Sequence, residues 1–129
     1  MVLGELEKLV LNYLWQEGEA DVKQIHAILS QERQSSLNTI QSTLERLYKK
    51  KLLSRSKQGH AYQYRARVER EELIAQLIKD VASDFKTSRD ETGLMAAFVS
   101  LSSELSMEDL NQLEHIIEQR RLQDNGLSK

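Results

Sequence analysis

Cysteine and proline are both absent from this chain. The first absence removes disulfides, thiolate nucleophiles and cysteine-built metal centres; the second leaves nothing to interrupt a helical pattern. Long apolar runs are missing too, since no segment nears the roughly 20 consecutive apolar residues that a membrane-crossing helix needs. Acidic residues in the opening "MVLGELEKLV" stand where a secretory signal would carry basic ones. The expected location is therefore cytoplasmic, without membrane insertion. His26, His60 and His115 are far apart, and none has a ligand-type partner at i+3 or i+4, so no metal site is expected. Neither a glycine-rich phosphate loop nor a Ser-His-Asp order is present. The adjacent acids Glu71-Glu72 and Glu108-Asp109 suit helix starts. These absences point away from an enzyme and from any cofactor.

With 129 residues, the chain suffices for one domain, or for a small domain with an oligomerising tail. An apolar fraction of 40% beside a charged fraction of 29% suits a folded protein rather than a disordered one. The net charge of −2 hides a strong division along the chain. Residues 1–20 carry −3, residues 21–67 carry +7, and residues 68–129 carry −6. A basic middle between acidic ends suggests one segment that meets a polyanion.

Leu3, Leu6, Val10, Tyr13 and Leu14 recur at helical steps and predict a first helix ending near Gly18, with Trp15 just off its apolar face. Asp21 is placed to cap a shorter second helix that turns Val22, Ile25, Ile28 and Leu29 inward. After the polar "RQSS", Ser36 can cap a third helix whose buried stripe is predicted to hold Leu37, Ile40, Leu44, Leu47 and Tyr48. Asn38, Thr39, Gln41, Ser42, Thr43, Glu45, Arg46, Lys49 and Lys50 are left outside. The period then changes to two. Leu53, Arg55 and Lys57 alternate with serines, "QGH" offers a turn, and Tyr62 and Tyr64 alternate with Gln63 and Arg65, which predicts a β-hairpin with Gly59 at its tip. Three helices followed by a hairpin make a winged helix-turn-helix.

Helical spacing returns at residue 69. Leu73, Ile74, Leu77, Ile78, Val81 and Phe85 line one helix, "KTSRDETG" reads as a loop, and Leu94, Met95, Phe98, Val99 and Leu101 suit a short helix. Ser106 with Asp109 marks the start of a last helix carrying Met107, Leu110, Leu113, Ile116 and Ile117. These helices have little core of their own, and pairing with a second copy would bury them. The expected homodimer contacts are Leu77, Val81, Leu94, Phe98, Leu110, Leu113 and Ile117.

A helix that enters the major groove needs an apolar back and an outer face of polar groups able to reach base edges. Thr39, Gln41, Ser42, Thr43 and Arg46 fit the reading role. Ser36, Lys49, Lys50, Lys51, Arg55, Lys57 and His60 suit the phosphate backbone, with Arg65 and Arg67 clustered near the same turn. Glu45, among the readers, would repel a phosphate unless it accepts from cytosine. Two plainer readings stand beside this one: a solvated helix face, or a winged-helix interaction module whose basic side docks on an acidic protein partner.

The stretch "TIQSTLERLYKKKLLSRSKQGHAYQY" resembles the recognition helix and wing of the penicillinase-repressor family, the BlaI, MecI and CopY type. The likeness runs from "LGELEKLVLNYLW" to "LSMEDLNQLEHII". It implies a bacterial repressor that dimerises through C-terminal helices and binds a palindromic double-stranded DNA operator. It also implies a regulatory protease or sensor as partner, but the family's Asn-Phe cleavage position reads Ala97-Phe98 here. The cysteine motif of copper-responsive relatives is absent, and Lys51 stands where relatives usually have glycine, so the third helix is expected to end differently. The expected architecture is mostly α with a small β wing: a DNA-binding domain over 1–68 and a helical dimerisation domain over 69–129.

Overall fold

The computed structural model describes residues 1–85 and 93–127. In chain order the elements are α1 (Glu5–Glu17), α2 (Val22–Leu29), α3 (Leu37–Lys49), β1 (Leu53–Gln58), β2 (Ala61–Ala66), α4 (Arg70–Asp84), α5 (Gly93–Ser102) and α6 (Met107–Leu127). The fold is mostly helical with one antiparallel hairpin, as the sequence predicts. Two compact units divide it, Met1–Val81 and Ala82–Lys129, with the division inside α4.

Local chemistry fixes the helix starts of the first unit. Glu7 Oε1 accepts from the Gly4 amide at 3.0 Å ahead of α1. Asp21 and Gln24 form a reciprocal capping box at α2, each amide reaching the other's side chain at 2.8 Å. Ser36 Oγ accepts from the Thr39 amide at 3.1 Å and opens α3. Gly18, at φ 91°, ends α1 in a conformation that a side chain would strain.

The core gathers Leu6, Val10, Leu11 and Leu14 from α1, Ile25 and Leu29 from α2, and Ile40, Leu44 and Leu47 from α3. Leu52, Leu53, Tyr64 and Leu73 close it. Three residues predicted inside are exposed instead: Ile28, Leu37 and Tyr48. Leu37 sits in the first turn of α3, where its side chain points back beyond the domain. The stripe of α2 is narrow enough to leave Ile28 at its edge. Tyr48 turns its ring to the hairpin. Leu11, fully buried, widens the inner face of α1 beyond the predicted stripe.

Helix α3 ends in two nested bonds, Leu52 N to Leu47 O and Lys51 N to Tyr48 O, both 3.0 Å. This is a Schellman motif, with Leu52 and Leu47 both buried beneath it. Its left-handed position is Lys51, at φ 66° the one non-glycine residue with positive φ among the described residues.

In the hairpin, Leu53, Arg55 and Lys57 lie opposite Ala66, Tyr64 and Tyr62 on one face. Gly59, at φ 65°, takes the first central position of the two-residue turn, the pattern of type II′. Ala20 pairs with Tyr64 as a one-residue third strand, through bonds of 3.0 and 2.8 Å. Trp15 Nε1 donates to Val68 O at 2.9 Å, fastening the hairpin's exit to α1. The first turn of α4 then joins the core through Leu73.

In the second unit, Ser106 and Asp109 cap α6 reciprocally, at 3.0 and 3.3 Å, as their spacing predicts. No residue of α5 is buried, and Leu94, Met95, Phe98, Val99 and Leu101 are all exposed. The loop predicted over 86–93 lies outside the described residues, except that Gly93 opens α5. No helix among the described residues is long and apolar enough to cross a membrane.

Candidate nucleic-acid interface

Helix α3 presents its polar side to solvent because Ile40, Thr43, Leu44 and Leu47 hold the other side against the core. Helical rotation places Asn38, Ser42, Glu45 and Lys49 opposite that buried stripe, with Gln41 to one side and Thr39 and Arg46 to the other. Asn38, Thr39, Gln41, Ser42, Arg46 and Lys49 are all exposed. Thr43 is not. It is fully buried, its hydroxyl donating to Thr39 O at 2.8 Å and accepting from Arg46 Nη2 at 3.2 Å. A threonine hydroxyl can bond back to the preceding turn, so Thr43 tolerates the inner side despite its polarity. This removes it from the candidate base readers and makes it a tether for Arg46.

Two of the cations expected at phosphates are also occupied inside the protein. Lys50 Nζ donates to Glu7 Oε2 at 2.8 Å and to Val2 O at 3.1 Å. Glu7 is buried, and burial pushes its carboxyl up, but the Gly4 amide and the Lys50 ammonium outweigh burial and hold it below its ordinary value. Arg55 follows the strand's alternation onto the face of buried Leu53 and donates to Glu45 at 2.6 Å. Its guanidinium stacks on the rings of Tyr48 and Tyr62. Glu45 holds Arg55 well above its ordinary range, so it is charged at every working pH.

The remaining residues expected at the phosphate backbone are open. Ser36, Lys51, Lys57 and His60 are exposed, and so is Arg67. Arg65 is exposed as well but donates to Glu19 at 2.6 Å, at the wing's base rather than its tip. Before α3, Ser35 O accepts from His26 Nε2 at 2.9 Å, which requires the proton on that nitrogen and ties the turn to α2. Among the described residues no group of three metal-ligating side chains is assembled.

Asn38 is a further candidate reader outside the set expected from the sequence, and its steps to Ser42, Glu45 and Lys49 give the axis of the exposed face. The Glu45–Arg55 pair was visible only indirectly, through the strand alternation that puts Arg55 beside Leu53. With the face of α3 and the hairpin so arranged, the chain can offer amide, hydroxyl and guanidinium groups to base edges and separate cations to a phosphate backbone.

Comparison with known proteins agrees with this chemistry. A family model described as penicillinase repressor matches residues 3–119. The transcriptional regulator BlaI of Mycobacterium tuberculosis is 33% identical over 98 residues, spanning 75% of this chain and 71% of that protein. The solution structure of the DNA-binding domain of the repressor BlaI superposes with a TM-score of 0.50 at 26% identity, over 54% of this chain and 85% of that domain. A transcriptional regulator from Thermotoga maritima shares the fold with a TM-score of 0.51 at 17% identity, over 98% of this chain and 80% of its own.

Proposed function

The chain belongs to the penicillinase repressor family, and on that premise we propose that it is a dimeric transcriptional repressor reading a palindromic operator in double-stranded DNA. The observation that carries the proposal is the exposed side of α3, where Asn38, Gln41, Ser42 and Arg46 project together from a helix locked to the core by its opposite side. In the major groove these side chains have the reach and donor pattern to meet base edges, with Asn38 and Gln41 suited to adenine and Arg46 to guanine. Thr39 and Ser42 supply shorter hydroxyl contacts. Ser36, Lys49 and Lys51 flank the helix and would position it on phosphates, while Lys57 and His60 at the hairpin tip would lie along the neighbouring backbone.

Residues 1–68 would form the DNA-binding part and residues 69–129 the helical part that pairs two copies. Support for pairing comes from the apolar side chains left open on the later helices: Val81, Leu94, Phe98 and Ile117 are all exposed. Leu110 and Leu113 are half-buried, and Leu77 already packs in part against the core of the first unit, so its share in pairing is smaller than the sequence suggests. Control by a regulatory protease is left to the family likeness. Ala97 replaces the asparagine of the expected cleavage position, on the exposed surface of α5.

Selection of duplexes from a random DNA pool by the purified chain, at low and physiological salt, tests the proposal. A two-fold symmetric motif is the expected result and would give the half-site spacing. Weak, unselective binding that salt abolishes would refute operator reading and favour a basic surface that docks on an acidic protein.

A further inference from the structure

Glu45 poses a difficulty for a helix that reads DNA. It lies on the outer half of α3 between Ser42 and Lys49, and its side chain is 40% exposed. A bare carboxylate there would face phosphates across a short distance and oppose binding at every sequence. Arg55 meets the difficulty from the hairpin, with Nη1 2.6 Å from Glu45 Oε1.

The same guanidinium lies over two rings. Its Cζ is 3.9 Å from the centre of the Tyr48 ring and 4.3 Å from that of Tyr62. Glu45 and Tyr48 belong to α3, Arg55 to β1 and Tyr62 to β2, so one side chain fastens both strands to the helix. Only 18% of that side chain remains exposed. A planar guanidinium can pair edge-on with a carboxylate while stacking face-on against aromatics; the compact ammonium of lysine cannot do both. Lys57, the next residue on this face, lies 5.9 Å from the Tyr62 ring centre and is exposed, so the two cations of β1 have different surroundings.

Building on the operator-reading function proposed above, we infer that Arg55 is a positioning residue: it clasps the wing to the recognition helix, masks Glu45, and makes no phosphate contact. The wing's cations then reach the backbone at a fixed offset from the base-reading side chains. Specificity gains because a register error in one contact displaces the other.

The test pairs a DNA-free measurement with binding to selected duplexes. Without DNA, Arg55→Gln should speed amide hydrogen exchange along β1 and β2 while leaving α1 unchanged. The side-chain proton signals of Arg55 should be ring-shifted in the wild type, and those of the side chain at the same position in Arg55→Lys should lack that shift. On DNA, Arg55→Gln should weaken binding by about tenfold, and adding Glu45→Gln should recover most of that loss by removing the bare charge. The double variant, Glu45→Gln with Arg55→Gln, keeps the wild-type net charge and should keep the wild-type salt slope, whereas Lys57→Gln should flatten the slope by about one. A double variant that flattens the slope as Lys57→Gln does would make Arg55 a phosphate contact and overturn the inference. Unchanged wing exchange in Arg55→Gln would also overturn it. A wild-type chain that selects no duplex would instead refute operator reading, and the exchange measurement would then decide the clasp alone.

Discussion

Glu7 and Lys50 meet at 2.8 Å across 43 positions of sequence, joining the first turn of α1 to the cap of α3. The pair locks the end of the helix that we assign to DNA. It also withdraws a cation from the phosphate contacts that the basic run "KKK" suggests. Lys50→Met should therefore lower the unfolding free energy by about 1–2 kcal/mol, a figure discounted because Lys50 is partly open to water. Urea titration measures it. The salt slope of DNA binding should not change, and a slope flatter by about one would return Lys50 to the phosphates.

The same pair sets an acid limit. The folded-state value of Glu7 is held below its unfolded one, so its contribution is complete above the unfolded value and is lost as pH falls through the folded one. Wild-type stability should drop more steeply than that of Glu7→Gln as pH falls below about 4. Parallel stability curves for the two proteins would contradict the assignment.

At Lys51 the helix end asks for glycine and the sequence supplies lysine. The left-handed φ of 66° costs a residue with a Cβ, while the nested bonds of the motif need only backbone. Lys51→Gly should raise stability by about 1 kcal/mol in thermal or urea unfolding. Binding should weaken slightly at all sequences if Lys51 meets a phosphate. A destabilised Lys51→Gly would mean that the lysine side chain contributes more than its backbone conformation costs.

Much of this was legible in the sequence because it rests on local rules. Asp21 with Gln24, Ser36 with Thr39, and Ser106 with Asp109 cap their helices within three residues of spacing. Gly59 turns the hairpin, whereas Lys51, expected to change the end of α3, instead takes the left-handed position itself. Residue type and burial diverge near the margins of a helix face. Thr43 is polar by type but sits 60° from Ile40 on the helical wheel, inside the buried arc. Leu37 and Tyr48 are apolar by type but lie about 60° and 80° to the other side of Ile40, past Leu44, where the core no longer covers the helix. The fates of Lys50 and Arg55 were set by partners on other elements, Glu7 on α1 and Glu45 on α3, which no spacing rule reports.

Asn38 and Arg46 are the proposed base readers whose loss separates base reading from backbone contact. If each pairs with one base, Asn38→Ala and Arg46→Ala should each cost about 1–3 kcal/mol on the selected operator and relax the preference at one position per half-site. Competition binding against single-substituted duplexes checks this. An equal loss on every duplex would place the side chain on phosphate. Thr43→Val should mimic a mild Arg46 defect, because Thr43 is fully buried and its 3.2 Å bond to Arg46 links it to an exposed reader.

Val81, Phe98 and Ile117 are 58%, 44% and 43% exposed, more apolar surface than these helices can bury on themselves. A charge at such a position should block pairing without touching the core of the first unit. Phe98→Glu is expected to shift the sedimenting species from dimer to monomer. It should also weaken operator binding by about 100-fold, because the second half-site no longer gains from the effective concentration that the linked partner provides. Binding to an isolated half-site should stay near the wild-type value, which separates lost linkage from a damaged reading helix. A wild-type chain that sediments as a monomer at every concentration would remove the paired arrangement, and the palindrome would then have to be read by two independent molecules.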